Sequence, residues 1–202
     1  VVEKLMINLF KKFSSKKIVN EKFPRIPYQE AMLKYGTDKP DLRNPLLVND
    51  YTEVFKNSDF KIFSNQIDKG SVVKGIKINN ISDKPRSFFD KLNDWAREEG
   101  AAGLGFIINS NKEYKGPIAK NLSPKKLELL NLNDQETIFF ICDKLKPAQI
   151  FSGKVRNKLA KDLKLLEEES FEFCWIVDYP MYEIDEKTNK IQFSHNPFSM
   201  PQ

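Results

Sequence analysis

The feature that most restricts the fold of this chain is a regular alternation of short apolar runs and amphipathic segments between residues 49 and about 166. Apolar runs of four to eight residues favour strands, and apolar residues at helical spacing favour helices. The predicted strands are residues 60–63, 72–78, 102–108 and 137–142, and the predicted helices are residues 85–99, 124–130 and 147–165. This order predicts a small α+β unit with two layers, of the split β-α-β kind.

Composition excludes several classes of protein. The chain has 202 residues, of which 40% are hydrophobic and 30% charged, so it can form a core and is not a disordered tail. No apolar run approaches the roughly 20 residues that a membrane helix needs. No signal peptide is visible, because the first apolar stretch is broken by charged residues. Both ends look cut, so we expect a piece of a longer protein.

Cysteine and histidine are too rare for a disulfide scaffold or a Cys/His metal site. Cys142 and Cys174 both lie in strand-like apolar runs, where buried, reduced thiols are expected. The chain has one histidine and no CxxC motif, so we expect no metal site of this kind.

Charge is distributed unevenly along the chain. Residues 1–48 hold ten Lys/Arg and five Asp/Glu, whereas residues 49–202 hold 23 of each. A basic first quarter fits contact with phosphates, and it equally fits a solubilising surface. From the balance over residues 49–202 we expect no strong electrostatic RNA binding by the central unit.

The segments on either side of the central unit have their own patterns. Residues 3–13 show helical spacing, and residues 28–35 predict a short helix that ends at Gly36. Near the other end, residues 173–179 and 181–184 are strand-like. Residues 191–194 are expected to return against them as a hairpin.

Two groups of residues are candidates for chemistry. Residues 36–43 place two carboxylates and two cations in a turn that contains Pro40. Either the turn presents Lys39 or Arg43 to an anion, or its charges are paired with one another. His195 is the only histidine in the sequence. Its imidazole either binds a carboxylate as part of a functional site or has a structural role only. No glycine-rich phosphate loop and no Ser/His/Asp triad is recognisable.

Three segments resemble the bacterial-type aspartyl-tRNA synthetases. Residues 23–43 (FPRIPYQEAMLKYGTDKPDLR) resemble the segment after the second signature motif of that family. Residues 175–183 (WIVDYPMYE) and 194–201 (SHNPFSMP) resemble the segment that re-enters the catalytic domain. Residues 49–166 are similar in length and position to the insertion that marks the bacterial form, the GAD domain (DCoH-like), shared with an archaeal amidotransferase subunit.

The resemblance implies a class II aminoacyl-tRNA synthetase. Such an enzyme uses ATP and magnesium to convert L-aspartate to aspartyl-adenylate, then transfers the aspartyl group to tRNA(Asp). The full-length enzyme is expected to be a cytoplasmic homodimer without membrane association. The implied divisions are a catalytic segment (1–48), the GAD insertion (49–166) and a returning catalytic segment (167–202), the two catalytic segments being parts of the family's antiparallel sheet.

The resemblance implies roles for a few residues. His195 aligns with a histidine that binds the aspartate substrate, and an imidazolium there would pair with the substrate's side-chain carboxylate and reject asparagine by charge. The family's second histidine is Asn196 here, so no role follows for that position. Asp38, Lys39 and Arg43 are expected at the active-site entrance or against the tRNA acceptor end.

No catalytic residue and no metal ligand is assigned within the chain. The resemblance implies that the signature motifs that hold the ATP phosphates lie outside it, so we expect the fragment to bind no cofactor and to be inactive alone. Two other interpretations stay open. One is a free-standing GAD-type RNA-binding or assembly module of a tRNA-dependent amidotransferase, and the other is a soluble α/β domain of unknown role. Such a module has no reason to keep the segments at 175–183 and 194–201.

Overall fold

The first 47 residues form a flank that precedes the central sheet. The structure is a computed structural model that describes residues 1–185 and 188–194. The elements of this flank are α1 (Val2–Phe13), β1 (Lys17–Ile18), β2 (Arg25–Pro27) and α2 (Tyr28–Tyr35). Both predicted helices are present. Helix α2 ends at Gly36, whose backbone has the left-handed φ of 68° that glycine adopts without steric cost.

The central unit combines strands and helices, but its order differs from the predicted one, because two helices are consecutive near its start and two strands near its middle. Its strands are β3 (Val48–Asp50), β4 (Val72–Asn79), β5 (Gly105–Ser110), β6 (Glu113–Lys115) and β7 (Glu136–Asp143). Its α-helices are α3 (Thr52–Phe55), α4 (Lys61–Asp68), α5 (Arg86–Glu98), α6 (Pro124–Leu129) and α7 (Leu145–Asp162). The five strands form one sheet in the order β3-β4-β7-β5-β6, and every neighbouring pair is antiparallel.

The connection from β4 through α5 to β5 is split by another strand. Strand β7 lies between β4 and β5 and is antiparallel to both, so β4 and β5 run in the same direction without touching. This is the split β-α-β arrangement that the sequence pattern predicts. The mixed α/β architecture with an antiparallel sheet is therefore confirmed.

Both faces of the sheet are covered by helices, which corrects the expectation of two layers. On one face, Ile76 and Phe139 pack with residues of α5 and α7. On the other face, Phe140 packs with α3 and α4, where its ring lies 4.9 Å from that of Phe55. Adjacent residues of β7 thus serve opposite cores, which explains why its apolar run is continuous and not alternating.

The predicted strand at residues 60–63 is wrong. Residues 61–68 form α4, and Phe60, Phe63 and Ile67 contribute to the second core. Their spacing of three and four residues matches one face of a helix. A run of four residues was too short to distinguish the two periods.

The last part of the chain returns to the first flank. Its strands are β8 (Ser170–Phe171), β9 (Trp175–Val177), β10 (Tyr182–Ile184) and β11 (Ile191–Phe193). Strand β8 pairs in parallel with β1, and β9 pairs in parallel with β2. Strands β10 and β11 form the predicted antiparallel hairpin. Within the described residues, no helix has the length and apolar character required to cross a membrane.

Candidate functional site

The pairing of β2 with β9 joins the two flanks of the central unit. Arg25, Ile26 and Pro27 are in register with Trp175, Ile176 and Val177. Next to this pair, the rings of Tyr28 and Tyr179 lie 5.1 Å apart. The segment at 23–43 therefore lies beside the segment at 175–183, although the central unit separates them in the sequence.

The turn that follows α2 is built from local hydrogen bonds. We call residues 37–43 the acidic–basic turn. The hydroxyl of Thr37 accepts a hydrogen bond from the Lys39 amide at 3.2 Å, and the Asn44 amide donates to the carbonyl of Asp41 at 3.3 Å. On its outer side, the hydroxyl of Tyr179 donates to the carbonyl of Asp38 at 3.4 Å. The turn therefore touches the returning flank at Tyr179.

Each cation of the acidic–basic turn is paired with a carboxylate of the same turn. The guanidinium of Arg43 donates two hydrogen bonds to the Asp41 carboxylate, from Nε at 2.9 Å and from Nη2 at 2.7 Å. Lys39 Nζ lies 3.0 Å from both carboxylate oxygens of Asp38. The Lys39 side chain is 82% exposed and that of Arg43 is 30% exposed. Lys39 is therefore the more accessible cation of the two.

These ion pairs shift the pKa values of Asp41 and Lys39. Hydrogen bonds from Arg43 lower the pKa of the Asp41 carboxyl, against a smaller opposing effect of burial. A hydrogen bond to Asp38 raises the pKa of Lys39. Both shifts favour the charged forms, so the turn holds two complete ion pairs at neutral pH.

The residue predicted to bind aspartate lies outside the described part of the chain, as does its neighbour. His195 and Asn196 follow Ser194, whose amide donates to the carbonyl of Met181 at 2.9 Å and closes the hairpin. The role of His195 stays a prediction. Among residues 1–185 and 188–194, no three His, Cys, Asp or Glu side chains form a group that could hold a metal ion.

One functional candidate is absent from the sequence-based predictions. Arg156 lies in α7, is fully buried, and reaches the backbone of residues 41–46. A signal was present, since the buried positions Ala148, Ser152, Val155 and Leu159 put position 156 on the inner face of the helix. An arginine on an apolar helix face needs hydrogen-bond or charged partners, which makes it a candidate for a specific role.

Both cysteines are reduced thiols, as predicted, but they are half-buried where the sequence predicts full burial. Burial raises the pKa of Cys142 to about 11, and burial also raises the pKa of Cys174. Neither is in a disulfide. Raised pKa values disfavour the nucleophilic thiolate.

The net charge of the central unit differs from our expectation. Residues 49–166 hold 21 Lys/Arg and 15 Asp/Glu, whereas residues 167–202 hold two and eight. The balance over residues 49–202 thus combines a basic unit with an acidic tail, so the premise of a neutral unit is wrong and the expectation about RNA binding loses that support. Lys146 of α7 joins the two parts through an ion pair of 2.9 Å with Glu183 of β10.

Comparison with known proteins defines the class to which this fold and these segments belong. Residues 1–202 match the family described as tRNA synthetases class II (D, K and N). The chain belongs to this family of class II aminoacyl-tRNA synthetases.

The relatives identify the branch of the family. The chain is 52% identical over its whole length to the aspartate–tRNA(Asp/Asn) ligases of Pelagibacter ubique, Paramagnetospirillum magneticum and Rickettsia canadensis. It covers 36%, 24% and 34% of those proteins, respectively. The resemblance to the aspartyl-tRNA synthetases is thereby confirmed, and the chain spans about a third or less of the length of these relatives.

Proposed function

We propose that this chain is part of an aspartate–tRNA ligase that activates L-aspartate with ATP and transfers the aspartyl group to tRNA. The observation that carries this proposal is the pairing of β2 with β9. It places the two segments that resemble the family's catalytic domain side by side. An independent insertion module would not require this pairing, so it favours the ligase over the free-standing amidotransferase module.

Exposed apolar side chains support a larger catalytic domain around the two flanks. Helix α1 exposes Leu5, Leu9 and Phe13, which the sequence pattern places on its apolar face. The hairpin exposes Ile191 and Phe193. Contiguous exposed apolar faces mark surfaces that pack against other protein. We assign them to parts of the ligase beyond this segment, in keeping with the greater length of the relatives.

We propose the division into residues 1–48, 49–166 and 167–202, with the middle part as the GAD insertion. The split β-α-β sheet supports this assignment, since it forms one continuous unit between the flanks. Two observations qualify the first boundary. Strand β3 begins at Val48, and Leu46 contributes to the first core, so the unit's structure starts slightly before residue 49.

We assign His195 to the substrate carboxylate and Lys39 to the tRNA acceptor end. An imidazolium binds a carboxylate through a charge-assisted hydrogen bond and leaves the neutral amide of asparagine without that attraction. The exposure of Lys39 supports its role against a phosphate. We assign Arg43 and Asp38 to shaping the active-site entrance, because ion pairs hold both within the turn.

We assign the remaining properties from the family. The full-length enzyme uses ATP with magnesium, acts in the cytoplasm and forms a homodimer. The names of the relatives extend the proposed tRNA substrates to tRNA(Asn) as well as tRNA(Asp). The described residues offer no cluster suited to magnesium, so no step is assigned to a metal within this chain.

Aspartate-dependent exchange of pyrophosphate into ATP tests this proposal. The full-length protein is expected to catalyse exchange and to aminoacylate both tRNAs. Its His195→Ala variant is expected to have a KM for aspartate at least tenfold higher, because a charge-assisted bond contributes about 1.5–3 kcal/mol. The 202-residue chain alone is expected to be inactive. Exchange by this chain, abolished by His195→Ala, would overturn the assignment of the other catalytic groups to sequence outside it.

A further inference from the structure

We propose that Arg156, in the central unit, is a positioning residue that fixes the acidic–basic turn of the catalytic flank. The proposal rests on the proposed function only where it concerns Lys39 and tRNA. The geometric part, that Arg156 orders residues 37–46, stands on contacts within the described chain.

The guanidinium of Arg156 binds three backbone carbonyls of one short segment. Nε donates to the carbonyl of Leu46 at 2.6 Å, and Nη2 donates to those of Asn44 at 2.7 Å and Asp41 at 3.0 Å. The cation also lies 5.0 Å from the ring centre of Tyr35, at the end of α2. Nη1 makes no hydrogen bond to a described residue. The planar fork of arginine suits such diverging carbonyls, which the single ammonium of lysine cannot reproduce.

The contact is reciprocal, because Asn44 binds back to α7. Its amide Nδ2 donates to the carbonyl of Arg156 at 3.2 Å, and its Oδ1 accepts from the amide of Leu46 at 3.0 Å. Asn44 is 2% exposed. The backbone from 41 to 46 is therefore held from two directions by one buried position of α7.

The other end of the turn is held by backbone packing. A Cβ atom placed on Gly36 would lie 2.4 Å from the amide nitrogen of Gly153, and one placed on Gly153 would lie 2.5 Å from the carbonyl oxygen of Gly36. Helix α7 therefore contacts both ends of the acidic–basic turn, at Gly153 before the turn and at Arg156 after it. Since Gly153 and Arg156 are three residues apart on one helical face, a rigid helix fixes both ends together.

Burial makes this arrangement sensitive to the identity of residue 156. No carboxylate of the described residues forms an ion pair with Arg156, and burial lowers its pKa against the opposing effects of Tyr35 and Asp41. The charge is balanced by carbonyl dipoles and an aromatic face. Removal of the guanidinium takes this donor away from the carbonyls of the buried residues Asn44 and Leu46, so the segment must rearrange to reach water.

Hydrogen exchange of the full-length protein tests the geometric part. Three variants are compared: Arg156→Met, Arg156→Lys, and the matched control Lys154→Met, which removes a half-exposed cation of the same helix that pairs with Glu99. In Arg156→Met, amides of residues 37–46 are expected to exchange at least tenfold faster, with those of β7 unchanged. Arg156→Lys should show a smaller effect in the same segment, and Lys154→Met none.

Two exchange results would overturn the positioning role. One is unchanged exchange at residues 37–46 in Arg156→Met. The other is a uniform increase over the whole central unit, which would indicate a purely structural residue. If Arg156→Met does not accumulate as folded protein, Arg156→Lys carries the same comparison, since it keeps the charge.

A double-mutant cycle tests whether Arg156 acts through Lys39. Lys39→Met alone is expected to raise the KM for tRNA about tenfold, with the KM for aspartate unchanged. In the Arg156→Met background, the same substitution is expected to change the KM for tRNA less than twofold, because the turn is no longer placed. Fully independent effects would refute the coupling. If Lys39→Met has no effect while exchange at 37–46 still rises in Arg156→Met, the assignment of Lys39 to tRNA fails and the positioning role of Arg156 stands.

Discussion

The contact between α2 and α7 predicts that two left-handed glycines will respond very differently to the same substitution. Gly36 and Gly100 each follow a helix and have φ values of 68° and 89°. A Cβ on Gly100 would meet nothing within 4 Å, whereas a Cβ on Gly36 would lie 2.3 Å from the carbonyl oxygen of Gln149 and 2.7 Å from the Cα of Gly153. An alanine would suffer similar backbone strain at the two positions, which differ in the space available to its Cβ.

The expected losses of stability follow from these distances. Alanine in the left-handed region costs roughly 1–2 kcal/mol, which is the whole expected effect of Gly100→Ala. Gly36→Ala adds overpacking against backbone atoms, which cannot rotate away, at about 1–3 kcal/mol. The total expected for Gly36→Ala is therefore about 2–5 kcal/mol. Gly153→Ala recovers about 1 kcal/mol of helix propensity, so we expect a smaller net loss, of up to about 2 kcal/mol.

Urea unfolding followed by far-UV circular dichroism gives these free energies, provided that the slope m is the same for all variants. The decisive quantity is the difference between Gly36→Ala and Gly100→Ala. Equal losses in the two variants would mean that α2 and α7 are not in backbone contact in solution. The acidic–basic turn would then be held to α7 by Arg156 alone.

Three further predictions concern single side chains. Cys142, with a pKa raised to about 11, should be alkylated at pH 8 roughly 100-fold more slowly than in urea, and native labelling within threefold of the unfolded rate would contradict this. Asp41→Asn should cost about 0.5–1 kcal/mol at pH 7, since the pair is partly exposed. The folded pKa of Asp41 is lowered, so this contribution is present above its unfolded pKa of roughly 3.9 and is lost as pH falls; unfolding at pH 7 and pH 3 should show the difference shrink. Ser123→Ala should cost less than about 0.5 kcal/mol by thermal unfolding, because the Ser123 side chain makes no capping bond, whereas a working cap would cost about 1 kcal/mol.

Local patterns in the sequence predicted the elements that depend on local causes. Gly36 ends α2 because the chain needs a left-handed residue there, and this requirement is visible in the sequence. The hairpin of β10 and β11 follows from two strand-like runs around a polar turn. Pairing within the acidic–basic turn, one of the two interpretations open from composition, follows from carboxylates and cations one or two residues apart.

Contacts between distant segments were not predictable from those patterns. The parallel pair of β2 and β9 joins residues on opposite sides of the central unit, and two three-residue strands carry too little periodicity to reveal it. Arg156 was missed because basic residues on helices are usually solvated, and only its apolar neighbours on the inner face mark it as buried. Its three acceptors are backbone carbonyls, which leave no residue-type signature in a sequence.

The ion pairs of the first flank show which of its cations carry the positive excess of residues 1–48. In residues 1–48, four of the five carboxylates already hold a cation, through the pairs of Glu21, Glu30, Asp38 and Asp41. The fifth, Glu3, accepts a hydrogen bond from the indole of Trp175. The positive excess of this flank is therefore carried by cations outside those pairs, which within the described residues lie on α1 and in residues 16–25: Lys4, Lys12, Lys16, Lys17, Lys22 and Arg25.

The acidic returning flank limits where this positive charge can act. Lys16 lies 4.0 Å from Glu169, and Lys146 of the central unit lies 2.9 Å from Glu183, so the returning flank forms an ion pair with each basic part of the chain. Exposed pairs of this kind contribute little stability, and salt screens them. These ion pairs reduce the positive electrostatic potential on the side that faces residues 167–185 and 188–194. Among the described residues, the positive potential is therefore strongest on the surfaces of the first flank and the central unit that face away from the returning strands.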